Sequence, residues 1–289
     1  MGVFVLKVKP YRELLRPRQW LKNLMLFFPP FLGGTLLQPE VGMRGLLPFV
    51  AFCMASSAIY ILNDLCDTTN DSHHPKKRLR PLPSGRVSPR SASLLATVCA
   101  VIAILAAVGV SSPFLYYLTA YFVISVAYSL CLKNIVLVDI FCVSAGFLIR
   151  LLAGGVVFKV VISEWLFLSV FLLSIFLSVG KRLSEKRHLG VMAESHRKAL
   201  VAYPKGFLEG AMYMTGASVL VTYTLYVITR HSTLLLFSVP LSCFGLLRYS
   251  IRIHAGESGD PTESLTRDAP LFAVGMLWAL LVGWGVYGG

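Results

Sequence analysis

Leu46–Leu62 (LLPFVAFCMASSAIYIL) runs directly into Asn63-Asp64-Leu65-Cys66-Asp67-Thr68-Thr69-Asn70-Asp71, and this join decides how the chain is read. The apolar run reads as a membrane helix. Three carboxylates and an amide at its end are costly there without a strong charge partner. Helical spacing places Asn63, Asp67 and Asp71 on one face, with Asp64 three residues before Asp67. Such a face offers hard oxygen donors, the set that holds Mg²⁺ when the ion also bridges a diphosphate. Asn63, Asp64, Asp67 and Asp71 are therefore the expected metal ligands, and the three aspartates the expected catalytic centre. His74-Pro75-Lys76-Lys77-Arg78-Leu79-Arg80-Pro81 follows, a cationic run in which Lys77, Arg78 and Arg80 suit the phosphates such a metal carries. The plainer alternative is a solvated acidic helix end balanced by a basic loop.

Composition agrees with a membrane setting. Of 289 residues, 56% are hydrophobic and only 14% charged, and the mean hydropathy is +0.70, where a soluble domain carries about 25% charge. Lys7, Lys9, Arg12, Arg16 and Arg18 near the start lack the short apolar core and cleavage site of a signal peptide. The net charge of +13 raises nucleic acid as a partner. The cations lie between apolar runs, however, so topology and phosphate chemistry account for them and nucleic acid is not expected. The six cysteines form no CxxC pair and read as small buried hydrophobes.

About nine spans are expected, at 20–37, 45–65, 92–111, 113–132, 135–157, 162–180, 207–228, 233–251 and 270–287. Pro29, Pro30, Gly33 and Gly34 interrupt the first. Connections as short as Ser111-Ser112-Pro113 and Lys133-Asn134 make neighbouring helices antiparallel hairpins. The expected fold is an all-α membrane protein, one bundle over 1–289. With the N-terminus inside, 23 of the 27 Lys and Arg fall on the inner side, which makes that side cytoplasmic. The long loops 66–90 and 181–206 both lie there, after the second and sixth spans, and are expected to cap the site. Their placement implies two four-helix halves in the same orientation plus a closing helix.

The Asn-Asp-x-x-Asp-x-x-x-Asp motif after the second of about nine spans resembles that of the UbiA-type intramembrane prenyltransferases. The likeness is closer to one branch, the decaprenyl-phosphate phosphoribosyltransferase type. It extends through Arg16-Pro17-Arg18-Gln19-Trp20-Leu21-Lys22-Asn23, Asn63 to Gly85, Tyr128-Ser129-Leu130-Cys131-Leu132-Lys133, Leu148-Ile149-Arg150-Leu151-Leu152-Ala153-Gly154-Gly155 and Gly180-Lys181-Arg182-Leu183-Ser184-Glu185. It ends in Gly259-Asp260-Pro261-Thr262-Glu263 with Arg267-Asp268. The resemblance implies a polyprenyl phosphate acceptor entering laterally from membrane lipid and a Mg²⁺-bound diphosphate donor on the cytoplasmic side of a bacterial inner membrane. A homo-oligomer is compatible with it.

The departure from the family pattern is informative. Where prenyl-diphosphate users carry a second Asp-rich motif, this chain has Lys181-Arg182-Leu183-Ser184-Glu185-Lys186-Arg187-His188. Fewer carboxylates and more fixed positive charge suit a donor with an additional phosphate monoester, and phosphoribosyl pyrophosphate fits. Lys181, Arg182 and Glu185 are thus expected at the substrate, although positive-inside anchoring explains lysines there too. Tyr128 and Lys133 point to the same rim as neutral donor and mobile point charge. Asp139 reads equally as a structural ion pair or as a contact to the ribose hydroxyls, and Arg150 as a cation with a partner inside the bundle. Trp20 reads as an interface anchor, with Lys22 and Asn23 in reach of a donor or acceptor phosphate. His74-Pro75 reads as turn chemistry and phosphate contact. No nucleophilic triad, Rossmann fingerprint or P-loop is present. Two rivals remain: an aromatic prenyltransferase, which the missing second Asp-rich motif disfavours, and a secondary transporter, which would place polar residues deep along several spans.

Overall fold

A computed structural model describes residues 2–72, 77–189 and 198–288. His73 and His74 lie outside them, as does most of the stretch after α8. Helix α1 (Gly2–Leu15) leads through a 3-10 segment (Pro17–Phe27) and short α2 (Phe28–Leu32) to α3 (Pro39–Cys66) and α4 (Thr68–Ser72). Then come α5 (Pro89–Val108), α6 (Ser112–Leu130), α7 (Val138–Phe158), α8 (Glu164–Leu189) and α9 (Lys198–Ala202). The chain closes with α10 (Phe207–Ile228), α11 (Thr233–Leu236), α12 (Ser238–His254), α13 (Pro261–Arg267) and α14 (Ala269–Tyr287). No strand occurs among the described residues.

Among the described residues, eight helices are long and apolar enough to cross a membrane. They match the second to ninth expected spans within a few residues. The local chemistry explains the crisp starts. Pro sits at the first turn of α3, α5, α6 and α14, where its missing N–H costs nothing. Ser88, Ser111 and Asp268 cap three of these helices with side-chain oxygens, which lets the hairpins turn in a few residues.

The first expected span is not one α-helix. Arg16 enters it in the left-handed region (φ 51°), and Pro29 and Pro30 remove donors that an α ladder across this segment requires. The chain forms 11 residues of 3-10 helix and 5 of α-helix instead. At about 2 Å and 1.5 Å per residue these reach roughly 30 Å, the thickness of a hydrocarbon layer. The segment packs against α7 so closely that a Cβ at Gly154 would run into the Leu26 carbonyl.

Among the described residues the apolar interior forms four clusters, three of which share α7. One gathers Leu26, Phe52, Ala103, Phe114, Tyr121 and Ile149 from the 3-10 segment, α3, α5, α6 and α7. A second joins α7 and α8 to α10 and α12 through Ile140, Phe176, Met212 and Tyr249. A third joins α7, α8 and α10 to α14 through Leu151, Val170, Tyr226 and Val282. The fourth packs Leu14 with Ile61, Leu82 and Ala92. The spans of α3 and α8 are the most enclosed, each 61% buried, while that of α14 is 6% buried. A connection follows each enclosed helix, but α8 continues to Leu189, so residues 181–189 of the expected loop 181–206 are helical.

Candidate active site

The acidic motif does not stay on one helix. α3 ends at Cys66, with Asp67 outside helical geometry at its C-cap, and α4 restarts at Thr68. The break sorts the motif into two pairs and so corrects the single face expected from helical spacing. Asp64 and Asp71, both buried, converge on Nη1 of Arg80, at 3.2 and 2.6 Å. Arg16 donates to the same Asp64 oxygen at 2.5 Å, and Lys77 stands 3.6 Å from Asp71. Asn63 instead donates to Asp67 (3.0 Å), and Lys133 binds both Asp67 (2.5 Å) and the Asn63 carbonyl oxygen (3.4 Å). Arg78 is exposed.

The donor set answers whether Mg²⁺ fits here. Among the described residues no three carboxylate, imidazole or thiol groups converge as metal ligands. Two carboxylates do aim at one cationic atom of Arg80, a stand-in for an ion. Mg²⁺ is ordinarily held by one or two carboxylates plus waters and substrate phosphates. Asp64 and Asp71 fit that pattern when a diphosphate supplies the rest. A cavity of about 290 Å³ opens beside them, lined by Glu13, Arg16, Asp64, Leu79, Arg80 and Pro81.

The cations at the end of α8 are differently placed. Arg182 is buried and committed to three acceptors: Asp139 (2.6 Å), Glu185 (2.7 Å) and the Tyr128 hydroxyl (3.0 Å). Asp139, fully buried, also accepts from Tyr203 at 2.8 Å. Burial raises the Tyr203 phenol above its ordinary range and keeps it a donor. Asp139 is therefore an ion-pair partner of Arg182. A guanidinium buried at that depth is stable only with carboxylates of this kind.

Lys22 lies 3.6 Å from Asp260, and Lys181 is half-buried. Asn23 is fully buried. It donates to Cys53 and Ser56 and accepts from Arg150 at 2.7 Å, so it positions Arg150 instead of facing solvent. Trp20 donates to Ser57 at 3.0 Å, a tie to α3 rather than to an interface alone. Asp260 caps α13 through the N–H groups of Thr262 and Glu263. Burial pushes its carboxyl up, but Lys22, Lys181 and those N–H groups outweigh burial and hold it below the usual carboxylate range.

Two site residues, Arg16 and Asp260, stand in motifs visible in the sequence yet received no role there. Asp260-Pro261 carries the signature of a helix start, but nothing local shows that it faces Lys22, far away in sequence. Arg16 could be found only by asking which cation meets Asp64.

The profile of the UbiA prenyltransferase family matches residues 27–281. The decaprenyl-phosphate phosphoribosyltransferase of Mycolicibacterium smegmatis is 30% identical, over 95% of this chain and 92% of that one. The protein of the same description from Mycobacterium tuberculosis is 31% identical, over 94% and 92%. In three dimensions the chain is similar to a UbiA homolog from Archaeoglobus fulgidus bound to GPP and Mg²⁺, with a TM-score of 0.74, 18% identity, and coverage of 97% of this chain and 100% of that chain.

Proposed function

We propose, from the premise that this chain belongs to the UbiA prenyltransferase family, that it transfers 5-phosphoribosyl from phosphoribosyl pyrophosphate to a polyprenyl phosphate of the decaprenyl type. The chain is a multi-pass membrane protein with eight apolar helices among its described residues. The proposed setting is a bacterial inner membrane, with the acidic site facing the cytoplasm under the loops 66–90 and 181–206. The product is a lipid carrier for cell-envelope sugars. The observation that carries this reading is the pairing at the two long loops. Asp64 of α3 and Asp71 of α4 share one cation, while the last turns of α8 hold Lys181 and Arg182 and no Asp-rich motif. Near 30% identity over almost the whole length of two phosphoribosyltransferases supports it.

The reaction asks little of a general base. An oxygen of the lipid phosphate, already an anion, attacks the anomeric carbon of the donor as the bond from that carbon to pyrophosphate breaks. The carbon passes through an oxocarbenium-like state, and in-line displacement of an α donor gives a β product. Mg²⁺, when bound with the donor at Asp64 and Asp71, supplies stabilisation of the charge on the leaving pyrophosphate. Arg16, Arg80 and Lys77, freed from the aspartates, are placed to meet phosphate oxygens. Lys133 keeps Asp67 and Asn63 in place on the other side. Offering the purified protein farnesyl phosphate with either phosphoribosyl pyrophosphate or a prenyl diphosphate, and reading pyrophosphate release and product mass, tests the reaction. Release from the phosphoribosyl donor, with a product heavier by one phosphoribosyl group, is the expected result. Use of the prenyl diphosphate alone would replace this reading with an aromatic prenyltransferase.

A further inference from the structure

Lys22 and Lys181 meet Asp260 between the 3-10 segment, α8 and the start of α13, and Arg150 of α7 is tied to Asn23, the neighbour of Lys22. Lys22 Nζ lies 3.6 Å from Asp260. Lys181 has no hydrogen bond or ion pair among the described residues, and both lysines act on the one carboxylate of Asp260. The place of Lys181 is fixed by the backbone. A Cβ at Gly259 would stand 2.7 Å from its Cα, so only glycine lets Asp260 approach α8 here. Arg150 donates to Asn23 and to the Gly146 carbonyl (2.6 Å) and lies 4.6 Å from the Tyr121 ring centroid. Among the described residues no carboxylate pairs with it.

Lys22, Arg150 and Lys181 against Asp260 leave a surplus of two positive charges. The nearest further charges are Arg182 with Asp139 and Glu185, which are bonded to one another and lower the regional surplus to one. Charge of one sign enclosed at membrane depth is costly without a counter-ion. A phosphate monoester carries about −1.5 to −2 at neutral pH and offers three strong acceptor oxygens, one for each cation.

Depth selects which phosphate. Asn23, the partner of Arg150, is tied to Ser56, seven residues before Asn63 on α3. That is about 10 Å further into the bundle than the acidic motif. Tyr121 and Phe52, the rings beside Arg150, belong to the apolar cluster that also holds Leu26 and Ile149.

We propose that Lys22, Lys181 and Arg150 form the seat of the lipid acceptor's phosphate monoester, with Asp260 as the carboxylate the phosphate displaces. This rests on the acceptor named above. The donor's pyrophosphate sits at Asp64 and Asp71, and the acceptor approaches it from the membrane side.

Binding to the full chain in lipid nanodiscs, measured without Mg²⁺ and without donor, tests the seat. The probes are farnesyl phosphate, farnesol and ribose 5-phosphate. Lys181→Met and Lys22→Met are each expected to weaken farnesyl phosphate roughly tenfold or more and to leave farnesol within twofold. Asp260→Asn keeps an oxygen for the α13 cap while removing the competing charge, and is expected to tighten farnesyl phosphate severalfold, a gain that a merely structural role does not give. Farnesyl phosphate binding within twofold of wild type in both lysine variants overturns the seat, as does a wild type that binds none. Loss confined to ribose 5-phosphate shows a donor seat and overturns the lipid assignment. Weaker binding in Asp260→Asn overturns its displacement. A wild type that binds farnesyl phosphate through these lysines, yet releases no pyrophosphate from phosphoribosyl pyrophosphate, removes the reaction and leaves the seat standing.

Discussion

The ends of α3 and α8 carry opposite chemistry on the two most enclosed spans, and the turn between α6 and α7 serves both. Lys133 of that turn meets Asp67 beyond α3, while Asp139, six residues on, meets Arg182 of α8. The cations around Asp64 and Asp71 come from loops and keep 24–41% of their side-chain surface exposed. Arg182 keeps 4% and Asp139 none. A carboxylate held by partly exposed cations can exchange them for a metal or a phosphate at lower cost than a sealed pair, because the released cations regain water. A pair sealed from water cannot be opened so cheaply. The acidic end is therefore built for exchange, and the Arg182 side of the basic end for permanence.

The largest test of this contrast is on the acidic side. Asp64→Asn and Asp71→Asn are each expected to lower transfer on the order of a hundredfold or more, with helix content and elution volume unchanged. Full activity in both, at an unchanged Mg²⁺ requirement, would remove the site from this end. On the basic side, Arg182→Met strands Asp139 inside the bundle and is expected to cost about 3–5 kcal/mol of stability, seen as a lower unfolding temperature. Adding Asp139→Asn to Arg182→Met should restore part of the loss, since no buried charge is then left alone. Unchanged stability with lost donor use would show that Arg182 faces substrate, and the contrast would fail. The smallest effect is on the shared turn. Lys133→Met is expected to reduce use of phosphoribosyl pyrophosphate roughly tenfold, and added Mg²⁺ should not restore it. Rescue by Mg²⁺ would move Lys133 to the metal side of the contrast.

Eight of the spans were legible because length and hydropathy alone define them, and the Ser88-Pro89 and Ser112-Pro113 starts sharpen the edges of two. The first was not, since a proline pair and a left-handed Arg16 produce 3-10 geometry that hydropathy does not register. The residue types of the site were legible in the acidic motif, but their partition was not. It depends on α3 ending at Cys66 and on Arg80 reaching back from a loop. Asp139 stayed ambiguous because its partner Arg182 is 43 positions away, and Arg150 because Asn23 is 127 away. Pairings at such separations are set by packing between helices, which one sequence does not display.

Helix α14 bears on the order in which the molecule is put together. Packing holds little of it, since 6% of its span is buried, and lipid competes on equal terms for an apolar helix surface. Beside the apolar contacts of Val282 and Trp278, it has polar attachments. Asp268 is gripped by Arg248 and Arg252, Trp278 donates to Tyr223 at 2.8 Å, and the Tyr287 hydroxyl donates to the Pro30 and Phe31 carbonyls at 3.0 Å. Every one of those receptors lies earlier in the chain. During synthesis α14 thus enters a bilayer in which the docking points named here already exist.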